Sequence, residues 1–269
     1  MIETPDSQPP NVGGRKCELC TTHGKEADML RFGEVWVCAA CKPLYVERLK
    51  TGIPPTRSAF RDLSSLTRAL HGLLIADIAV LCLAAASGAV ELGMLLKSGV
   101  GIDLENLTWS NIAVGLIGLL QLGVSLAVGI VFLRWIYLVN ANARAVGATK
   151  MQFTPGWSIG WYFIPFANLW KPYQAMKEIW RASFDPENWR SVKVASILPL
   201  WWTLWILSSV LGQAAFRATM RADERSELIA ASVIMLVSDA IDIPLAIVAI
   251  ALVTRIWAAQ RQRGVGTGQ

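Results

Sequence analysis

Histidine is almost missing: the chain has two in 269 residues. That scarcity removes most imidazole-based chemistry. No metalloprotease helix motif, no phosphate-cradling loop and no serine or cysteine nucleophile with its base can be found, so an enzyme is not expected. Charge is also scarce. Asp, Glu, Lys and Arg make up 17% of the chain, against about 25% in ordinary soluble domains. A soluble domain with 54% hydrophobic residues would expose more apolar surface than water tolerates, so bilayer is the simpler solvent. The start of the chain lacks an apolar core. Residues 1–16 carry Pro5, Pro9, Pro10, Gly13 and Gly14, so no cleavable signal peptide is expected there and the stretch reads as a disordered tail.

Four apolar runs are present, at about 70–96, 112–139, 194–216 and 228–253. Each is long enough for a spanning helix, which needs about 20 residues. The fold class is therefore mainly α and integral to a membrane: a four-helix bundle over 68–257, preceded by a linker at 51–67 and followed by a tail at 258–269. The formal charge of +5 has two readings, nucleic acid or an excess of basic residues on one membrane side. Its distribution favours the second. Arg57, Arg61 and Arg68 precede the first run, and Arg144, Lys150, Lys171, Lys177, Arg181, Arg190 and Lys193 fill the long middle segment. Arg255, Arg261 and Arg263 close the chain. Both termini are expected on the cytoplasmic side of a plasma membrane, although Arg217, Arg221 and Arg225 weigh the other way.

The stretch 153–183 is harder. Phe153 to Trp170 is apolar, but Gly156, Gly160 and Pro165 interrupt it and both flanks are basic. A surface-lying or re-entrant element fits better than a fifth span. Pro172 then suits the first turn of a helix. Tyr173, Met176 and Trp180 share one face of it, either on the inner membrane surface or packed on the bundle. Many of the twelve tryptophans fall near span ends, as an interfacial belt would place them.

Of five cysteines, Cys82 stands alone in the first run and reads as an inert buried residue. The other four form two C-x-x-C pairs, Cys17 with Cys20 and Cys38 with Cys41. Two such knuckles at this separation have the spacing of a zinc ribbon, residues 17–50, in which four thiolates complete a tetrahedron around Zn²⁺. Met29–Phe32 and Val35–Val37 read as two strands turning at Gly33-Glu34, which returns the second knuckle to the first. Four sulfurs leave no open position, so the metal is expected to be structural. His23 lies near the first knuckle and reads as a surface loop residue. In residues 1–61 nine Lys and Arg stand against seven Asp and Glu. Four thiolates on a divalent ion add about −2. The electrostatic footprint for nucleic acid is thus absent, and a protein partner for the ribbon is expected. Trp36, Phe32 and Leu44 are either that contact or the small core.

Three aspartates lie inside apolar runs: Asp77 in the first, Asp239 and Asp242 in the fourth. An Asp at a span centre costs about 2.5–3.5 kcal/mol on insertion scales, so each should face the bundle and find a partner. Gln121, Ser238, Arg134 and His71 are candidates. Two readings stay open, a proton or cation site and an interhelical hydrogen-bonded clamp.

The middle of the chain carries a distinctive run. Phe132-Leu133-Arg134-Trp135 leads to Asn140-Ala141-Asn142-Ala143-Arg144 and Gly147. Pro155-Gly156-Trp157, Trp161-Tyr162-Phe163-Ile164-Pro165 and Asn168-Leu169-Trp170-Lys171-Pro172-Tyr173-Gln174 follow, ending in Glu178-Ile179-Trp180-Arg181. Over roughly 65–260 this resembles a bacterial family of multi-pass membrane proteins known only as a domain of unknown function. The ribbon, with Trp36-Val37-Cys38-Ala39-Ala40-Cys41-Lys42-Pro43, is similar to zinc-ribbon modules fused to several bacterial membrane domains. The resemblance implies a bacterial inner-membrane location and carries over no substrate or catalytic residue. Asn140, Asn142, Arg144, Asn168, Lys171 and Gln174 would line a polar pocket at the cytoplasmic face for a lipid headgroup or a partner loop, or else form a network pinning the surface segment. The function expected is a non-enzymatic membrane scaffold or sensor whose ribbon contacts a protein. The alternative is a small transporter or channel using Asp77, Asp239 and Asp242. Oligomeric state is not legible.

Overall fold

Alternating side chains over eight residues build the N-terminal hairpin, and four long apolar runs build the helices behind it. The computed structural model describes residues 15–17, 19, 23–32, 35–51, 60–97, 104–222 and 224–266. They belong to two units, Met1–Ala59 and Phe60–Gln269.

In the first unit β1 (Arg15–Lys16) pairs antiparallel with β2 (His23–Gly24). Arg15 and Lys16 were expected in a disordered tail and instead form this strand, and the backbone of His23 is in a strand rather than a loop. β3 (Met29–Phe32) pairs antiparallel with β4 (Val35–Cys38), with Leu30 opposite Val37 and Met29 opposite Cys38. The expected turn at Gly33-Glu34 lies outside the described residues, as do Cys20 and the side chains of His23 and Leu44. After a 3-10 turn at Ala39–Cys41 comes α1 (Lys42–Thr51), whose Pro43 sits in the first turn where its missing N–H is harmless. Met29, Val37, Tyr45 and Cys17 form the core, and the Phe32 ring lies 4.7 Å from that of Tyr45. Trp36 is half-buried, with the guanidinium groups of Arg15 and Arg31 at 5.4 and 5.9 Å from its ring.

The second unit holds α2 (Ser64–Lys97), α3 (Leu104–Ala145), α4 (Pro155–Gly160), α5 (Lys171–Phe184), α6 (Ile197–Arg221) and α7 (Arg225–Gly266). Four of these, α2, α3, α6 and α7, are long and apolar enough to cross a membrane. In space α7 packs between α6 and α2, and α2 packs against α3 as well. The helices overrun the apolar windows. Residues 258–266, expected as a tail, continue α7, which is also unbroken through Pro244.

The buried core gathers at the end where α2 and α6 begin and α3 and α7 finish. Trp135, Ile136 and Val139 meet Leu70, Leu198, Leu252 and Ile256 there. α3 stops with an αL glycine: Gly147 has φ +112°, its N–H donates to Arg144 O (3.1 Å), and Ala148 N–H donates to Ala143 O (3.1 Å). The tryptophans divide. Trp135, Trp180, Trp189, Trp201 and Trp257 are core rather than belt, whereas Trp157 and Trp170 face outward. Cys82, expected buried, faces outward on α2.

Phe153–Trp170 is not one continuous helix. Pro155, Gly160 and Pro165 break it into α4 and 3-10 turns at Trp161–Phe163 and Ala167–Leu169. Phe163, Phe166, Trp157 and Trp170 project outward. α5, by contrast, is packed on the bundle, with Ala175, Met176, Ile179 and Ala182 buried. Aromatic contacts pin this layer. Trp202 Nε1 donates to Leu169 O (3.1 Å), its ring stacks on Trp205 (4.6 Å), and Tyr173 lies 6.3 Å from it.

Candidate functional site

In the N-terminal unit the hairpin returns Cys38 and Cys41 to Cys17. Their three Sγ atoms lie within 4.8 Å of one another. A tetrahedral metal with sulfurs at about 2.3 Å requires neighbouring sulfurs roughly 3.8 Å apart, so small side-chain rotations close the site. Cys17 is fully buried, and Cys38 N–H donates to its Sγ at 3.4 Å. A donor aimed at sulfur favours the thiolate, the form that ligates metal. This cluster of three can hold a metal ion.

The three aspartates of the apolar runs find partners on neighbouring helices. Ser125 Oγ on α3 donates to Asp77 Oδ1 on α2 (3.0 Å). Gln121 Nε2 on α3 donates to Asp239 Oδ1 on α7 (3.0 Å). Ser208 on α6 hydrogen-bonds Asp242. Of the expected partners only Gln121 makes such a bond. His71 Nε2 instead lies 3.2 Å from Thr254 Oγ1, and Ser238 is buried beside Asp239. The serines were missed because a serine in an apolar run carries no signal of direction. A cavity of about 130 Å³ opens between α2, α3 and α7, with Glu91, Gln121 and Asp239 on its wall.

The Asn140–Arg144 motif divides by helical geometry. Residues two apart on a helix point to opposite sides, and residues four apart share a face. Asn142 turns one way. Its Nδ2 donates to Arg61 O (2.9 Å) and its Oδ1 accepts from Arg61 N–H (3.0 Å), a two-bond clasp on the chain leading into α2. Asn140 and Arg144 turn the other way. Asn140 Nδ2 (3.0 Å) and Arg144 Nη2 (2.9 Å) both donate to Phe153 O, and Arg144 Nε donates to Asn140 Oδ1 (3.2 Å). Glu178 completes this side from α5, its carboxylate accepting from Gln152 N–H (2.5 Å) and Phe153 N–H (2.9 Å). Burial pushes the Glu178 carboxyl up from its ordinary value, while the two N–H groups, Arg144 and Arg190 pull against it. Asn140 and Asn142 are fully buried and bonded to backbone, which is pinning geometry. Lys171 lies over the rings of Trp161 (5.5 Å) and Phe153 (5.8 Å), Asn168 is half-buried and Gln174 is exposed. The sequence reading missed Glu178 as a member, and also Gln260, whose Nε2 donates to Val139 O (2.8 Å) and Ser183 Oγ (2.9 Å) in the same buried layer.

Residues 99–258, more than half of the chain, match the family described as a domain of unknown function (DUF4328). No curated protein and no solved structure matches the chain.

Proposed function

Because the chain belongs to that family, whose description names no activity, we propose from its residues that it is a non-enzymatic membrane scaffold or sensor. Its N-terminal unit is a zinc ribbon that contacts another protein. The observation that carries this reading is the convergence of Cys17, Cys38 and Cys41, with a backbone N–H on the Cys17 sulfur. Cys20 stands at C-x-x-C spacing from Cys17 and supplies the fourth thiolate. Zinc suits four thiolates, and four ligands leave no site for a substrate. The near-neutral charge of residues 1–61 supports a protein rather than a nucleic acid as partner. The basic residues around the span ends support a bacterial inner membrane with both termini in the cytoplasm.

The test is zinc content and in-cell cross-linking, wild type against Cys38→Ser/Cys41→Ser, at matched membrane levels. The double variant should lose zinc and a discrete cross-linked partner together. Unchanged zinc would refute the ribbon, and an unchanged partner would refute its role in contact.

A second reading, a small transporter or channel, is favoured by one observation: Asp239 and Glu91 share a cavity between three spans. In proteoliposomes, proton or cation flux that falls to background in Asp239→Asn and Asp77→Asn would support it. A wild type without flux would end it.

A further inference from the structure

The bond from Trp135 Nε1 to Thr67 Oγ1 (3.2 Å) sets the last quarter of α3 level with the first turn of α2. The apolar run of α2 starts just beyond that turn, at about residue 70, so this level lies beside the start of a span. Arg134, beside Trp135, stands at this level and is exposed on the outer flank of the bundle. Ile130, one turn deeper (about 6 Å), is exposed on the same flank, as is Tyr137 one turn shallower. Among the described residues no hydrogen bond or ion pair joins the Arg134 guanidinium, and none joins that of Arg61. An arginine at a membrane boundary with no protein partner calls for one from the lipid.

The surface around it has the right shape. A groove of about 1010 Å³ runs between the start of α2, the flank of α3 and the turn after α4. Its floor and walls are apolar, made by Leu66, Ile130, Leu133 and Phe163, and its shallow end carries Arg61, Arg134 and Tyr137. Asp62 also lies on the rim, its Oδ1 accepting from the N–H (2.9 Å) and Oγ (2.6 Å) of Ser64, so two guanidinium groups stand against one carboxylate and the balance is positive. The groove is thus cationic where headgroups lie and apolar where acyl chains lie.

We infer that this groove binds an anionic phospholipid, with the phosphate on Arg134 and Arg61 and an acyl chain along Leu133 and Ile130. Guanidinium offers a planar fork of donors that matches a phosphate by two parallel bonds. The apolar wall selects a lipid over a free anion. This assignment is independent of what the ribbon contacts.

The experiment compares wild type, Arg134→Gln, Arg134→Lys and Arg255→Gln, the last altering a different basic groove beside Trp180 and Phe184. Each is reconstituted in nanodiscs of phosphatidylcholine with phosphatidylglycerol, extracted in detergent, and its retained lipid read by native mass spectrometry. Arg134→Gln should retain about fivefold less phosphatidylglycerol, the size expected for one arginine at an anionic surface. Arg134→Lys should fall between, and Arg255→Gln should match wild type. Equal retention in Arg134→Gln, or equal retention of the two lipid classes by wild type, overturns the proposal. Stabilisation of the detergent-solubilised wild type by inorganic phosphate to the same melting shift overturns it too, in favour of a free-anion site. If Arg134→Gln does not fold, Leu133→Trp decides the matter: it fills the apolar wall, keeps the arginine, and should displace the lipid. Undiminished retention there refutes the groove.

Discussion

At the scale of single residues, Asn142 does the most with the least. One buried carboxamide satisfies the part-buried peptide N–H and C=O of Arg61, and no other side chain of that length offers both a donor and an acceptor. Asn142→Ala leaves both groups without partners, at about 1–3 kcal/mol for a stranded buried group. We expect the thermal midpoint of the detergent-solubilised protein to fall accordingly, and a variant as stable as wild type would show that the clasp contributes nothing. Asn142→Asp keeps the acceptor and loses the donor, so it should not rescue. Helical spacing alone made part of this legible. It turns Asn142 away from Asn140 and Arg144, although the motif was read as one pocket containing all three. What each face would meet was not legible, because Arg61 and Phe153 reach it through tertiary structure.

At the scale of elements, α5 shows how an amphipathic pattern admits two readings. Met176 and Ile179 are covered by protein, so the apolar stripe reads as packing and not as a membrane-facing surface. Pattern cannot distinguish these, since bundle and lipid both accept an apolar face. Glu178 breaks the stripe, and its partners lie 25 residues away on the 151–153 loop, which left no local signal. Its carboxyl is raised by burial, and the sign of the consequence follows. A raised group contributes its full stability below the unfolded value, about 4.3 for Glu, and that contribution is lost as pH rises through the folded value. Chemical denaturation from acid to neutral pH should therefore show wild type losing stability relative to Glu178→Gln. Parallel profiles would mean that the two N–H bonds and the arginines outweigh burial.

At the scale of the whole molecule, the spans were legible because crossing a bilayer is a property of length and composition. Their ends were not, because α3 and α7 continue past the apolar windows on the strength of packing at one end of the bundle. The cysteine pairs announced a metal-sized cluster for a similar reason, spacing being written directly in the chain. The tryptophans misled, since a large ring suits an interface and a core equally. One asymmetry has a mechanical meaning. The clasp on Arg61, the Glu178 bonds and Gln260 all tie the helices together where α3 finishes. At the opposite end a bond from Arg225 Nε to Leu95 O (2.9 Å) links the start of α7 to α2. With His71 against Thr254 nearer the other end, α2 and α7 are held at two points, as a plank is by two nails, and cannot slide along one another without breaking both.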